Sequence, residues 1–234
     1  MIWLGIDTSN SPLAVAIVKD GQVVAEEVTN IKLNHSIGAM PAIERLFERV
    51  KMKPADVDAI AVGEGPGSYT GVRIGVTIAK TLAWTLKKPL VGISSLKLLV
   101  ANAALYNGVV CSIIDARRQN VYAGAYDTQV DLVAVVEDGH YSLQGLLDKL
   151  KDLNAPVMFV GHDVELFWEA IQAELGDNAI RAPYTLDLPS ASQLIHLADQ
   201  QELPAIEAVH SFVPQYRRLA EAEANWLKEQ KGQK

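Results

Sequence analysis

The sequence predicts an α/β fold in which one structural unit is used twice, each unit being a mixed β-sheet flanked by helices. Two observations lead to this prediction. A short apolar strand that ends in aspartate and enters a polar turn occurs at 4–7 and again at 112–115. Each copy is followed by further strands and then by alternating helical and strand-like stretches. We expect two subdomains, 1–106 and 107–234, the second a smaller sheet domain with a C-terminal helical tail.

The first half begins as a three-stranded meander. Its strands are separated by the polar turn at 8–12 and by Lys19-Asp20-Gly21, and turns of this kind join neighbouring antiparallel strands. After the meander, apolar side chains recur at three- and four-residue intervals between 35 and 50, which predicts an amphipathic helix there. The expected order is strands at 4–7, 13–18 and 22–28, helix 35–50, strand 59–63, helix 71–87, strand 90–93 and helix 96–106.

The second half repeats this order less regularly. Asp115 ends an apolar strand as Asp7 does in the first half, and a polar turn at 116–120 follows it. The remaining elements are expected as a strand at 121–126, a strand near 132–136, helix 142–153, strand 157–160, helix 164–175 and helix 191–200.

Composition and charge exclude several classes of protein. The chain has 234 residues, a formal net charge of −7 and no apolar run long enough to span a bilayer. It has a single cysteine, Cys111, inside an apolar strand, where a small buried side chain is expected rather than a nucleophile. The N-terminus has no basic segment typical of a secretion signal. We therefore expect a cytoplasmic protein that has no membrane contact and does not bind nucleic acid strongly on its own.

The stretch 63–75 is a glycine-rich turn that leaves a strand and enters a helix. Gly67 and Ser68 stand where the helix begins, and backbone N–H groups at a helix start attract anions. The stretch contains neither a P-loop lysine nor a dinucleotide fingerprint. Anion binding and a plain turn both remain open here.

The helix at 71–87 is apolar nearly all round. Very small side chains recur at every fourth position, which allows another helix to approach closely, and an isoleucine and leucine ridge lies beside them. Contact with another subunit and internal packing against the helix at 35–50 are both consistent with this pattern. The residues predicted for an interface are His35, Ile37, Met40, Ile43, Phe47, Gly71, Arg73, Ile74, Gly75, Ile78, Ala79, Leu82 and Ala83.

Four motifs together resemble the TsaB (YeaZ) family. They are Ile6-Asp7-Thr8-Ser9, the string from Gly65 to Gly75, Ile114-Asp115-Ala116-Arg117-Arg118, and Pro214-Gln215-Tyr216-Arg217-Arg218 followed by Glu221-Ala222-Glu223. The resemblance covers essentially the whole chain. It implies an actin-like, ribonuclease H-like fold and a bacterial protein that helps to place threonylcarbamoyl on an adenosine beside the anticodon of tRNA.

The resemblance also implies a role in assembly. A TsaB-like chain serves as a non-catalytic scaffold that pairs with TsaD through helices of its N-terminal half. It can also form a homodimer through that surface. It acts with TsaE and contacts tRNA through the complex. The sequence agrees with this in having no pair of histidines four residues apart, the spacing that places two imidazoles on one metal ion. We predict no catalytic residues and no metal site. The same absence of a histidine pair argues against the hypothesis of a metallopeptidase.

The sequence offers observations both for and against nucleotide binding. The resemblance places Asp7, Thr8, Ser9 and Asp115 where actin-like relatives hold phosphate and magnesium, but the glycine pair that contacts adenosine is reduced to Gly161-His162-Asp163. We therefore predict a degenerate nucleotide or anion site and no cofactor of its own, with ATP and magnesium bound only weakly or with partners. The residues predicted for this site are Asp7, Thr8, Ser9, Gly67, Ser68, Asp115 and Arg117.

Two alternatives stay open at this point. A free-standing ATPase or phosphotransferase would use Asp7 and Asp115 as its carboxylates. The arginine pairs at 117–118 and 217–218 are either solvated turn charges or contacts to RNA or TsaE.

Overall fold

A computed structural model describes residues 1–31 and 35–217. The first half forms a five-stranded sheet with strand order β3-β2-β1-β4-β5, in which β1 is antiparallel to β2 and parallel to β4. Its elements are β1 (Ile2–Asp7), β2 (Leu13–Lys19), β3 (Gln22–Thr29), α1 (His35–Val50), β4 (Ala59–Gly65), α2 (Tyr69–Leu86), β5 (Leu90–Ser94) and α3 (Ser95–Ala101).

The second half forms another five-stranded sheet, with strand order β10-β9-β6-β7-β8. Its elements are β6 (Val109–Asp115), β7 (Asn120–Asp127), β8 (Val133–Ser142), α4 (Leu143–Lys151), β9 (Val157–Val160), α5 (Trp168–Leu175), β10 (Ala179–Arg181) and α6 (Ala191–Asp199). Strand β6 is antiparallel to β7 and parallel to β9, as β1 is to β2 and β4. The two sheets therefore have the same topology, and the predicted duplication of an α/β unit is confirmed.

Each sheet is covered on both faces by helices. On the first sheet, α1 and α2 pack against one face and α3 and α6 against the other. On the second sheet, α4 and α5 cover the outer face, and α3 packs against the inner face. Helix α3 thus lies between the two sheets, because Leu98 and Ala101 face the first core and Leu96, Leu99 and Val100 face the second. This arrangement joins the halves along one side.

The predicted boundary at 106/107 assigns too much of the chain to the second half. Helix α6 packs on β1 and β2, and Trp3 Nε1 donates to Asp199 Oδ1 at 2.9 Å. The turn of 3-10 helix at Ile206–Ser211 then lies against α2. The physical reason is that α3 has only seven residues and leaves apolar sheet surface uncovered, which Leu194 and Ile195 of α6 bury.

Other differences concern short elements. Helix α3 ends at Ala101 rather than 106, and the predicted helix at 164–175 divides into a 3-10 turn at Val164–Leu166 and α5. Strand β10 was not predicted, since three residues give too little periodicity to detect. Cys111 is fully buried, as expected. Within residues 1–31 and 35–217, the structure contains no helix that is both long and apolar enough to cross a membrane.

Candidate functional site

A cleft of about 680 Å³ opens between the two halves. Helix α2 begins at its edge, where the Ser68 hydroxyl caps the helix by accepting from Gly71 N. Four of the seven residues predicted for the nucleotide or anion site line this cleft, namely Gly67, Ser68, Asp115 and Arg117. The other lining residues are Asn10, Ser11, His35, Tyr69, Thr70, Ala116, Tyr122, Asp163 and Leu166.

The remaining three predicted residues, Asp7, Thr8 and Ser9, lie beneath the cleft and not in it. Each is at most 2% exposed. The Thr8 hydroxyl donates to Gly71 O at 2.7 Å, and Ser68 N donates to Ser9 O at 2.7 Å. The start of α2 therefore covers this turn, and the structure does not bring Asp7, Thr8 and Ser9 into the cleft with the other four predicted residues.

The Asp7 carboxylate is satisfied within the protein. It accepts from Ser9 N at 3.3 Å and from Ser9 Oγ at 3.2 Å, and a Cβ at Gly63 would lie only 2.0 Å from Asp7 Oδ1. Burial raises the pKa of Asp7 to about 6, against the lowering effect of the Ser9 hydrogen bonds. The group is packed in the core and is not presented to a metal ion.

Asp115 reaches the cleft but is already paired. Its Oδ1 accepts from Arg117 N at 2.8 Å, and the Arg117 guanidinium lies 3.5 Å from Oδ2. Arg117, Arg118 and Gln119 all have left-handed backbone conformations, with φ of 70°, 53° and 59°. This turn holds the arginine beside the carboxylate. The described residues contain no cluster of three or more metal-ligating side chains.

The other side of the cleft comes from the loop after β9, which sequence reasoning noted only as a departure from the resemblance. Asp163 Oδ2 accepts from Asn10 Nδ2 at 3.1 Å and from Asp115 N at 2.9 Å. His35, predicted as an interface residue, points here instead, and its Nε2 donates to Asn10 O at 2.7 Å. Asn10 was missed because a lone asparagine in a polar turn gives no sequence signal.

Six residues predicted for an interface are buried in the chain's own core. Ile43 and Phe47 are at most 5% exposed, and they pack toward the first sheet. The small-residue stripe of α2 also faces inward, since a Cβ at Gly71 would lie 2.2 Å from Thr8 O and one at Gly75 would lie 2.4 Å from Thr8 Oγ1. The stripe lets α2 approach the β1 turn and does not admit another subunit. Within this chain the structure places Ile43, Phe47, Gly71, Gly75, Ala79 and Ala83 in the core, apart from the predicted interface residues that reach the surface.

The outer side of the same helical layer does carry apolar surface. Ile37 is 73% exposed and Met40 is 46% exposed on α1. On α2, Ile74, Ile78 and Leu82 are half-buried and Arg73 is exposed. We call these six residues, Ile37, Met40, Arg73, Ile74, Ile78 and Leu82, the docking face.

Arg73 is held in place by an aromatic contact. Its Nη1 donates to Tyr69 OH at 2.6 Å, and its guanidinium lies 5.1 Å from the centre of the Tyr69 ring. The Tyr216 ring lies 5.3 Å from that of Tyr69. The C-terminal segment 212–217 therefore borders the docking face.

A second polar cluster, which the sequence did not indicate, lies under this segment. Asp138 accepts from Ser94 Oγ and from Tyr126 OH. Burial raises the pKa of both Asp138 and Glu64, and the charge of Arg217 opposes the shift in each case. The charge of the exposed Arg217 thus offsets part of the effect of burial on the pKa of these two half-buried carboxyl groups. Arg218 and the acidic run at 221–223 lie outside the described residues.

Comparisons with known proteins come from sequence and from structure. The family model for the tRNA N6-adenosine threonylcarbamoyltransferase TsaD matches residues 22–226. The tRNA threonylcarbamoyladenosine biosynthesis protein TsaB of Bacillus subtilis is 44% identical over 99% of this chain and 100% of its own length. The protein of that name from Escherichia coli is 36% identical over 53% of this chain and 54% of its own length. The solved structure of YeaZ from Pseudomonas aeruginosa is 25% identical, covers 92% of this chain and 99% of its own, and superposes with a TM-score of 0.72.

Proposed function

This chain belongs to the TsaB family of tRNA threonylcarbamoyladenosine biosynthesis proteins, and we propose that it serves that biosynthesis as a docking subunit without a catalytic site of its own. The observation that carries the proposal is the docking face. Ile37 and Met40 of α1 expose large apolar side chains, and Ile74, Ile78 and Leu82 are half-buried on α2, the helix that contacts α1. Exposed apolar surface of this kind marks protein interfaces.

The state of the cleft supports the second part of the proposal. Asp7 is buried and bonded to Ser9, while Asp115 is bonded to Arg117. An actin-like phosphotransferase needs free carboxylates near the phosphates to hold magnesium. Both carboxylates at the duplicated strand ends are engaged here, so we propose that the chain uses no nucleotide or metal of its own and that ATP and magnesium act only with partners.

The partner we propose is a TsaD-family protein. Several relatives named tRNA N6-adenosine threonylcarbamoyltransferase are similar to part of this chain, among them the Bacillus subtilis protein at 32% identity over 62% of this chain. Two chains with related helical layers can pair through equivalent faces, and the same face can pair two copies of this chain. A net charge of −7 disfavours direct binding of tRNA by this chain alone, so we propose that tRNA is contacted through the complex. We propose TsaE as a further partner and the cytoplasm as the location.

The experiment that tests the proposal is co-elution with the TsaD-family protein of the same organism. Ile78→Glu and Met40→Glu each place a negative charge in the docking face. They should abolish co-elution, because complex formation would remove the glutamate carboxylate from water without supplying a counter-charge or a hydrogen bond. Leu105→Glu is the matched control, since Leu105 is 99% exposed and lies on the loop after α3. Unchanged co-elution of both docking-face variants would overturn the proposal.

The cleft supports a second candidate function, that of a free-standing ATPase. It has a volume of about 680 Å³ and includes the start of an 18-residue helix. Magnesium-dependent ATP hydrolysis by the isolated chain, lost in Asp115→Asn, would establish this second function and refute the first.

A further inference from the structure

The loop that follows β9 joins the two halves at the mouth of the cleft. Asp163, in the second half, accepts from the Asn10 side-chain amide of the first half at 3.1 Å. The same oxygen accepts from the backbone N–H of Asp115 at 2.9 Å. Beside it, Asn30 Nδ2 of the first half donates to His162 Nδ1 at 3.3 Å. One carboxylate oxygen therefore connects both halves.

The loop is firmly anchored on the second half. Gly161 has a φ of +125°, and a Cβ there would lie 2.5 Å from Ile113 O, so only glycine fits. Its N–H donates to Asp187 Oδ1 at 3.1 Å. Asp187 is buried and is held by Arg181 through two hydrogen bonds of 2.9 and 2.6 Å. A bidentate ion pair fixes the base of the loop and hence the position of Asp163.

Asn10 is equally fixed on the first half. Its carbonyl accepts from His35 Nε2 at 2.7 Å. The preceding residue, Ser9, is held by the hydrogen bond from Ser68 N. The contact between Asn10 and Asp163 therefore links two rigid positions and not two loose side chains.

We propose that Asp163 is a clamp that sets the width of the cleft from within the chain. Helix α3 joins the halves on the closed side, where it packs between both sheets. Asp163 joins them on the open side. The Asp163 carboxylate accepts hydrogen bonds there from Asp115 N and from the Asn10 side-chain amide. It thus takes the place that a bound anion would have as the negatively charged acceptor of these two donors. The two halves are held together without a ligand, which gives a rigid body for docking.

Two measurements test the clamp. The first is Förster transfer between dyes on cysteines introduced at Glu44 of α1 and Glu169 of α5, both exposed and in different halves. The native Cys111 stays unlabelled because it is fully buried. Wild-type protein should give one narrow distance distribution that magnesium-ATP leaves unchanged. Asp163→Ala and Asn10→Ala should broaden it, and Asp163→Asn, which keeps an acceptor oxygen, should broaden it less.

The second measurement is amide hydrogen exchange at Asp115. Asp163→Ala removes the acceptor of its N–H and should speed its exchange roughly tenfold or more, whereas Asn10→Ala should not. Asp177→Ala, at an exposed residue of the second half, is the control and should change neither measurement.

The proposal is refuted if the distance distribution between the dyes is already broad in the wild type, if magnesium-ATP shifts that distribution, or if Asn10→Ala leaves it narrow. The Asn10 variant keeps the bond between Asp163 and Asp115, so the test stands even if Asp163→Ala fails to fold. Failure of the docking-face variants would not affect this test.

Discussion

Asp7 and Asp115 hold equivalent places at the ends of β1 and β6 but have opposite surroundings. Asp7 is 1% exposed and bonded to Ser9, while Asp115 reaches the cleft and pairs with Arg117. The difference follows from the start of α2, which covers the first turn, whereas the segment after β9 contacts the second turn at the Asp115 N–H through Asp163 and leaves the Asp115 side chain in the cleft. A duplicated motif has thus produced one structural carboxyl group and one surface carboxylate.

The burial of Asp7 predicts an unusual dependence of stability on pH. Its pKa rises from 3.8 to about 6 on folding, so the native state holds the proton more tightly than the unfolded state does. The contribution of this group to stability is therefore full below about pH 4 and is lost as the pH rises to about 6. Asp7→Asn keeps the size of the side chain without the charge. It should raise the free energy of unfolding at neutral pH by about 2–3 kcal/mol and flatten the pH dependence between about 4 and 6.

Urea denaturation at several pH values measures this effect. Asp177→Asn, at an exposed position, is the control and should leave the profile unchanged. A loss of stability at neutral pH in Asp7→Asn would contradict the assignment of Asp7 as a buried structural group.

Glycine-to-alanine substitutions on α2 and on α1 should have opposite effects, because the small-residue stripe of α2 faces inward while Gly38 of α1 has open space beside it. Gly71→Ala should destabilise the fold by about 1–3 kcal/mol, because the new Cβ would lie 2.2 Å from Thr8 O. Gly38→Ala is the counterpart on α1, where no heavy atom of the described residues lies within 4 Å of the added Cβ. It should stabilise by about 0.5–1 kcal/mol. Thermal unfolding of both variants checks the pair, and equal effects would show that α2 does not press against the β1 turn.

The C-terminal segment 212–217 predicts a local effect of Lys80. Lys80 Nζ donates to His210 O at 3.2 Å and to Phe212 O at 2.7 Å, and farther along Gln215 N donates to Glu64 O at 2.8 Å. Lys80→Met removes the first two bonds and keeps the alkyl chain. It should speed hydrogen exchange at Gln215 several-fold, while Lys149→Met, at an exposed position of α4, should not. Unchanged exchange at Gln215 would mean that Lys80 does not hold the segment.

The sequence was sufficient for the fold because the duplicated motif and the helical periodicity are local patterns. Helix α1 was predicted at its observed bounds, since its apolar spacing is regular over 16 residues. The place of α6 was not predictable, because its amphipathic pattern shows that it is buried but not against which sheet. Only the uncovered face of the first sheet decides that.

The candidate site was harder to predict for a related reason. A stripe of small residues indicates close approach, but it does not say whether the neighbour is a partner helix or, as at Gly71 and Gly75, the protein's own β1 turn. Asn10 and Asp163 are far apart in sequence and meet only through the fold. The exposed positions of Ile37 and Met40 likewise depend on which side of α1 the sheet occupies.

Threonylcarbamoyl transfer to tRNA, reconstituted with the TsaD-family and TsaE proteins of the same organism, tests the central claim most directly. If this chain is a docking subunit without its own catalytic site, transfer should persist in Asp115→Asn and in the Leu105→Glu control, and it should be lost in Ile78→Glu. Loss of transfer in a folded, co-eluting Asp115→Asn protein, together with full transfer in Ile78→Glu, would contradict the claim.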